Sequence, residues 1–375
     1  MLNMANGTVC YNRGEWSELY AFLRLLQQGK IYAADENTEK IKNLFLPIIK
    51  LYRKEKGNPE REYLCGSVIE VTENGKVVAS IKNEELDEEA TLLLNDIFVG
   101  VTASGGSQTF AVPDIWQFLD SIKITQVKAP SLEKADINML IHDPNTGHDP
   151  KVGFSVKSDI GSAPTLLNPG KNTKIRYEIT GISQQQIDAI NSITKESGHK
   201  NYIKDRMALL FRPGINVTYD TVLDETYKQN LIMIDSRMPE ILGEFILLHY
   251  SEMNLSGACK SDDLCTRLAA KNPLGFSRPK IYRFKFKKLI TAVALGMTPG
   301  HEWDGQDQAN GGYIVIKKDG EILCYFLYNR NFFEEYLMKN TQIDRPSPSR
   351  YDFGYIYTEN GHHYIQFNYQ VRFTE

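Results

Sequence analysis

Cysteine and histidine are scarce in this chain of 375 residues, with five and seven copies. Cys10, Cys65, Cys259, Cys265 and Cys324 form no CxxC pair and share no zinc spacing with a histidine. That argues against a zinc module, a disulfide scaffold and a dithiol redox pair, and for reduced thiols. No apolar run reaches the roughly 18 residues that a membrane-spanning helix needs. Met1 to Arg13 has no basic stretch followed by an apolar one, so no secretory signal is read there and a cytoplasmic location is expected. The stretch Gly100 to Ser107 is rich in Gly, Ser and Thr but lacks the Gly-Lys-Ser/Thr ending of a phosphate loop, and reads as an ordinary turn. An excess of positive charge is missing too, since the formal net charge is −4. This speaks against a simple basic nucleic-acid binder. It leaves room for a basic cleft beside carboxylates gathered for a metal.

What is present is ordinary for a folded protein: 42% hydrophobic and 24% charged residues. The length suits one large domain or two closely packed ones. Trp16, Leu19, Tyr20, Phe22, Leu23, Leu25 and Leu26 recur at helical spacing over 15–29. Ile41, Leu44, Phe45, Ile48 and Leu51 predict a second helix from Thr38 to about Lys54. The Glu73-Asn74-Gly75 turn joins two strands. The acidic run Glu84, Glu85, Asp87, Glu88, Glu89 opens a helix reaching about Phe98. A strand over 136–142, a turn at Asp143-Pro144-Asn145-Thr146-Gly147 and a strand from Val152 to Ser158 make an antiparallel hairpin. A short strand from Lys174 to Ile179 extends that sheet. Helices are expected over 183–193, 200–211, 222–232, 238–250 and 261–270. The basic stretch 281–295 mixes strand-like and helical spacing and is left open. Asp319-Gly320 and Asn360-Gly361 punctuate hairpin-like runs at 313–327 and 353–373, with a helix near 331–339 between them. The expected fold class is α/β, a mixed sheet flanked by helices.

One hairpin carries candidate chemistry. Asp136 opens its first strand and Lys157 lies near the end of its second, so the antiparallel pairing brings the two together. Ser155 shares the face of Lys157 because strands alternate with period 2. A carboxylate can hold a divalent metal, and a nearby lysine can orient a water and offset transition-state charge; phosphodiester hydrolysis needs both. Spacing alone leaves the bland alternatives standing: a turn-capping Asp and a solvated strand-edge Lys. Asp143, the rival carboxylate, points to the other face and reads as a turn former. His142 and His148 flank the hairpin without a third ligand.

Several blocks stand out in order along the chain: Gly14-Glu15-Trp16-Ser17-Glu18-Leu19-Tyr20, Ile31-Tyr32-Ala33-Ala34-Asp35-Glu36-Asn37, and Gly153-Phe154-Ser155-Val156-Lys157-Ser158 continuing through Gly161-Ser162-Ala163-Pro164-Thr165-Leu166-Leu167-Asn168. Ala294-Leu295-Gly296-Met297 with Trp303 and Gly305, and Phe367-Asn368-Tyr369-Gln370-Val371-Arg372-Phe373, complete the set. Together these blocks resemble the HpaII-like restriction endonucleases. The resemblance implies a restriction-endonuclease-like core of the PD-(D/E)xK nuclease superfamily, with helical and β-hairpin additions. It implies one endonuclease chain over 1–375, with a catalytic core and N-terminal helices in 1–180 and additions for DNA recognition or dimerisation in 181–375.

Carried over residue by residue, Asp136 takes the place of the first motif acid, though Ala135 precedes it instead of proline. Lys157 takes the place of the motif lysine. Ser155 stands where the second acid is expected, so one metal ligand is missing. Glu18, Glu15 and Glu178 are the candidates to replace it, in that order for the helical pair. The implied cofactor is Mg2+. The implied partner is double-stranded DNA, cut by a homodimer at a short CCGG-type site that a cognate methyltransferase protects. Ser158, Ser162, Thr165 and Asn168, which follow the lysine, and Arg350, Gln370 and Arg372 near the C-terminus are candidate DNA contacts. The basic stretch 278–288 is a candidate backbone track, with a solvated charged face as its alternative. Two rival functions are a DNA-binding protein with an inactive nuclease core and a structural or interaction role.

Overall fold

A computed structural model describes residues 9–103, 109–127, 135–252 and 259–374. The chain folds into two compact units, Met1–Pro164 with Asp307–Tyr336, and Thr165–Gln306 with Leu337–Thr374.

The first unit opens with helix α1 (Arg13–Gln28), then β1 (Lys30–Ala34), β2 (Lys40–Arg53), β3 (Arg61–Leu64), β4 (Val68–Glu73), β5 (Lys76–Lys82), α2 (Asn83–Ala103), α3 (Ile115–Ser121), β6 (Ile137–Ile141) and β7 (Lys151–Ser158). The second unit takes over with β8 (Thr165–Leu167), β9 (Ile175–Thr180), α4 (Gln184–Asn191), α5 (Tyr202–Leu210), β10 (Asn216–Val222), α6 (Glu225–Ile234), α7 (Met238–Ser251), β11 (Cys259–Lys260), α8 (Ser261–Lys271) and α9 (Ile281–Ala294). The chain returns to the first unit for β12 (Gly312–Ile316) and β13 (Ile322–Phe326), and α10 (Arg330–Asn340) crosses the unit boundary. The second unit closes with β14 (Thr341–Asp344), α11 (Pro348–Tyr351), β15 (Ile356–Glu359), β16 (His362–Phe367) and β17 (Gln370–Phe373). This is a mixed α/β protein. No helix among the described residues is long and apolar enough to cross a membrane.

The first unit is built on a nine-stranded sheet of order β1-β13-β12-β7-β6-β2-β3-β4-β5, in which β1 also pairs with β2. β12 is parallel to β7 and β1 to β13, while the other pairs are antiparallel. One face of its central strands, with Ile137, Met139, Ile141, Phe154, Val156, Ile314 and Ile316, forms a single core with Trp16, Leu19, Phe22, Leu23 and Leu26 of α1 and Leu86, Ala90 and Leu93 of α2. α1 starts at a capping box: Asn12 Oδ1 accepts from the Glu15 amide, and Glu15 Oε2 accepts from the Asn12 amide. It ends at Gly29 in the left-handed region.

Residues 40–53 correct the sequence reading, which expected a helix. They form the longest strand of the sheet, with Leu46, Ile48 and Leu51 buried. The register shifts between Ile48 and Lys50, so the inward positions step from 46 and 48 to 51. That shift imitates helical spacing. Pro47 would remove a hydrogen bond from a helix interior, and it sits in this strand opposite Lys30. A second correction concerns Ile175–Thr180, which pairs with β10 and β16 in a sheet of the second unit and does not extend the β6–β7 sheet. β10 itself was not expected. The open stretch 281–295 is helical, as α9. Of the Gly100–Ser107 stretch read as a turn, 100–103 are instead the last residues of α2, and 104–107 lie outside the described residues. β12 and β13, drawn from the part of the sequence assigned to additions, lie in the same sheet as the candidate hairpin.

Candidate active site

The β6–β7 hairpin forms as its sequence implies. Asp143 organises the turn: its carboxylate accepts from the Asn145 amide, Thr146 Oγ1 and Tyr328 Oη, and these bonds hold its pKa down to about 2. It is a turn former and takes no place in the candidate site. Ile137 pairs with Phe154 and Asn138 with Gly153, and the Asp136 amide donates to the Phe154 carbonyl at 2.9 Å. Continuing this register sets Asp136 opposite Ser155.

The Asp136 carboxylate is tied down on that strand. Its Oδ2 accepts from the Val156 amide at 2.7 Å and from Ser155 Oγ at 3.3 Å. Because β6 begins one residue later, the side chain of Asp136 satisfies a β7 amide that a backbone carbonyl would otherwise serve. Oδ1 is not used by these two bonds. Ser155 and Lys157 are half-buried, while Phe154 and Val156 alternate with them into the core. Asp136, Ser155 and Lys157 therefore share the face opposite the one on which α1 packs.

That face changes character across the sheet. On the β2–β6–β7 side it carries solvated polar groups: Lys50 pairs with Glu62 at 2.8 Å, and Lys151 Nζ sits 3.8 Å from the Tyr52 ring centre. On the β12–β13 side it is covered. Tyr313, the parallel partner of Ser155, packs at a tilt against Phe333, and Tyr325 stacks on Tyr336, both partners from α10. Asp136 and Ser155 lie where the cover stops, with protein on one side and an open sheet face on the other.

Several residues at this place were missed by the sequence reading. Tyr313 and Val315 flank Ser155 and Lys157 only because a strand from more than 150 positions downstream inserts beside β7. Asn310 accepts from the Gly153 amide through its side chain, and no local pattern announces that. Asp159 follows Lys157 by two, so the period-2 alternation already in hand was enough to find it. Burial raises its carboxyl pKa against the opposing pull of Lys318 and Arg13.

The glutamates expected to complete the donor set fare differently. Glu15 serves the α1 capping box. Glu178 lies on β9 in the second unit, where it bonds His362 Nδ1 at 2.7 Å. Glu18 is half-buried on α1, a helix packed on the other side of the sheet from Ser155 and Lys157. Among the described residues, no three His, Cys, Asp or Glu side chains stand close enough to hold a metal. The Asp136 carboxylate and the Ser155 hydroxyl are hard oxygen donors set side by side on a half-exposed face. That set suits a small divalent cation which keeps most of its waters and shares a substrate phosphate.

The candidate DNA contacts also separate. Ser158 is 6% exposed, and its Oγ accepts from the Ile160 amide at the end of β7. Ser162 Oγ accepts from Arg13 at 3.0 Å, which ties the turn after β7 to the start of α1. Asn168 is exposed just beyond β8, and Arg350 is exposed on α11. Thr165, Gln370 and Arg372 come together on one sheet. In the basic stretch, Arg283 pairs with Asp262 and Lys285 with Asp235, so part of its charge is spent inside the second unit.

The HpaII restriction endonuclease family matches residues 12–373. The chain belongs to the HpaII restriction endonuclease family. It is 39% identical over 369 residues to a type II restriction enzyme, HpaII of Haemophilus parainfluenzae, covering 96% of this chain and 98% of the relative. No solved structure matches. Membership in this family makes the chain a restriction endonuclease. Some residues of the blocks noted in the sequence have architectural parts. Trp16 of the first family block is fully buried, with its ring beside Phe110 and Trp116 and its Nε1 donating to the Phe110 carbonyl. Tyr20 donates to the Gly320 carbonyl. In the C-terminal block, buried Asn368 bonds Thr173 and Gly170.

Proposed function

We propose that this chain is a type II site-specific deoxyribonuclease that hydrolyses phosphodiester bonds in double-stranded DNA, with Mg2+ as cofactor and Asp136, Ser155 and Lys157 at its centre. The observation that carries the reading is the Asp136–Ser155–Lys157 face: an anchored carboxylate, a hydroxyl opposite it and a lysine one step along the strand, within a chain of a restriction endonuclease family.

Asp136 and Ser155 are the residues that would hold the metal. The bound metal supplies Lewis-acid stabilisation of the phosphate and a more acidic water. Asp136 presents its carboxylate in one orientation because Val156 and Ser155 grip Oδ2. Lys157 donates a hydrogen bond to the attacking water or to a non-bridging phosphate oxygen, and its charge offsets that which develops in the in-line displacement. The products are a 5′-phosphate and a 3′-hydroxyl. A CCGG-type target, a homodimer that cuts both strands of a palindrome and a protecting methyltransferase complete the proposal.

The test is cleavage of plasmid DNA with magnesium by the wild type, Asp136→Ala and Lys157→Ala, with chelator as the metal-free arm. Discrete fragments from the wild type with magnesium, and none from the other arms, are expected. Lys157→Ala should lose about 10²- to 10⁴-fold, as for a missing proton-transfer or charge-stabilising group. Equal cutting by Lys157→Ala overturns the site. DNA that is bound but never cut by the wild type supports instead a DNA-binding protein with an inactive core, a reading for which Ser155 in place of an acid speaks.

A further inference from the structure

The four-stranded sheet of the second unit has the order β11-β14-β17-β8, and every pair in it is antiparallel. Its register lines up Lys260 with Gln342, Gln342 with Arg372, and Arg372 with Thr165. Lys260, Gln342 and Arg372 thus form one row across β11, β14 and β17, and Thr165 of β8 pairs with Arg372 across a register shift between Val371 and Arg372. The next row along β14 and β17 pairs Asp344 with Gln370. Lys260 is exposed and the other five are half-buried, while Cys259, Ile343, Val371 and Phe373 alternate with them into the core. Asp344 joins the two rows: its Oδ2 accepts from Gln370 Nε2 at 2.9 Å and lies 3.5 Å from Arg372 Nη1.

We propose that this polar face reads base edges in the major groove of the DNA substrate, with Gln342 and Asp344 as specificity-determining residues beside Arg372, Gln370 and Thr165. The inference rests on the nuclease reading above. The side chains are of the kinds whose donors and acceptors match base edges: arginine pairs with guanine O6 and N7 and a carboxylate accepts from cytosine N4, while a glutamine amide carries both a donor and an acceptor. The major groove admits a β-ribbon, and strands read it in known protein–DNA complexes. Charge complementarity agrees, because Lys260 and Arg372 face outward and the one carboxylate between them is engaged with Arg372. Holding Arg372 and Gln370 on a shared acceptor restricts their rotamers before DNA arrives, so less entropy is lost on binding. Asp344 is thus a positioning residue for both, and is itself within reach of a cytosine amino group once Arg372 turns to its guanine.

The test uses the full chain without magnesium to select from duplexes with a randomised centre, followed by sequencing. Plasmid cleavage with magnesium is run in parallel. Wild type, Arg372→Lys, Asp344→Asn and Gln342→Ala are compared by the ratio of preferred to substituted sequences, a quantity independent of how much protein is folded. Arg372→Lys should relax preference at one base pair of the site by about 10- to 100-fold, as expected for one bidentate contact, and leave the other positions as they were. Asp344→Asn should relax that same position together with the one read by Gln370. Gln342→Ala should relax a different one. Unchanged preference profiles in all three variants overturn the proposal. A wild type that cuts plasmid while selecting no sequence overturns it too, leaving the nuclease reading intact. A wild type that selects a sequence without cutting, with the variants relaxed as expected, supports the reading face and overturns the nuclease activity.

Discussion

One pair of substitutions separates the structural role of Asp136 from its proposed role as a metal ligand. Its Oδ2 satisfies the Val156 amide at 2.7 Å and accepts from Ser155 at 3.3 Å. Asp136→Ala removes the acceptor of both bonds and leaves a β7 amide unsatisfied. Hydrogen bonds to a charged acceptor and stranded amides fall in the same range, so the loss should be about 1–3 kcal/mol of stability. Asp136→Asn keeps an oxygen at the same place, so the Val156 bond survives and stability should change by less than about 1 kcal/mol. The anionic ligand is lost in both. If it supports a metal worth several kcal/mol to the transition state, both variants should cut DNA about 10³-fold more slowly or worse. The assay is urea unfolding followed by tryptophan fluorescence, with plasmid cleavage rates on the same preparations. Asp136→Asn cutting at the wild-type rate would refute the ligand role. Asp136→Ala unfolding at the wild-type midpoint would refute the structural one.

Glu55 is buried at 3% exposure and accepts from Thr125 through its amide and hydroxyl, from the Gln126 amide and from Arg53, with Arg61 at 3.7 Å. Glu55→Ala leaves the buried Arg53 side chain without its carboxylate and the Thr125 and Gln126 amides without their acceptor, while Arg61 keeps Glu73, and should cost about 3–5 kcal/mol in urea unfolding; a loss below about 1 kcal/mol would show that water takes over its bonds. His249 is buried, and burial pulls its pKa from 6.5 to about 4. The unfolded chain therefore binds the proton first as pH falls. Stability is fully present above pH 6.5 and is lost between there and about pH 4, by about 3 kcal/mol at 1.36 kcal/mol per pH unit. Unfolding curves at pH 7 and pH 4.5 should show this slope in the wild type and a shallower one in His249→Leu; equal slopes would contradict it.

Local chemistry in the sequence determined a good part of this protein. The heptad-like spacing of Trp16 to Leu26 specifies α1, because a helix buries one face every 3.6 residues whatever its neighbours are. The Asp143-to-Gly147 turn specifies the β6–β7 hairpin, and with it the approach of Asp136 to Ser155, because the two strands are joined by the turn that pairs them. The blocks shared with a restriction endonuclease family were legible for the same reason: they are contiguous. What only the tertiary structure decided is non-local. Residues 40–53 became a strand because β1, β3 and β6 were there to pair with it, and a register shift disguised its period. Tyr313 came to Ser155, and Asn310 to Gly153, through strand insertion across a long separation. The row of Lys260, Gln342 and Arg372 exists only as a sheet register. Spacing along one strand says which residues share a face; it is silent on which distant strand will lie alongside, since that depends on which pairing buries the common apolar surface.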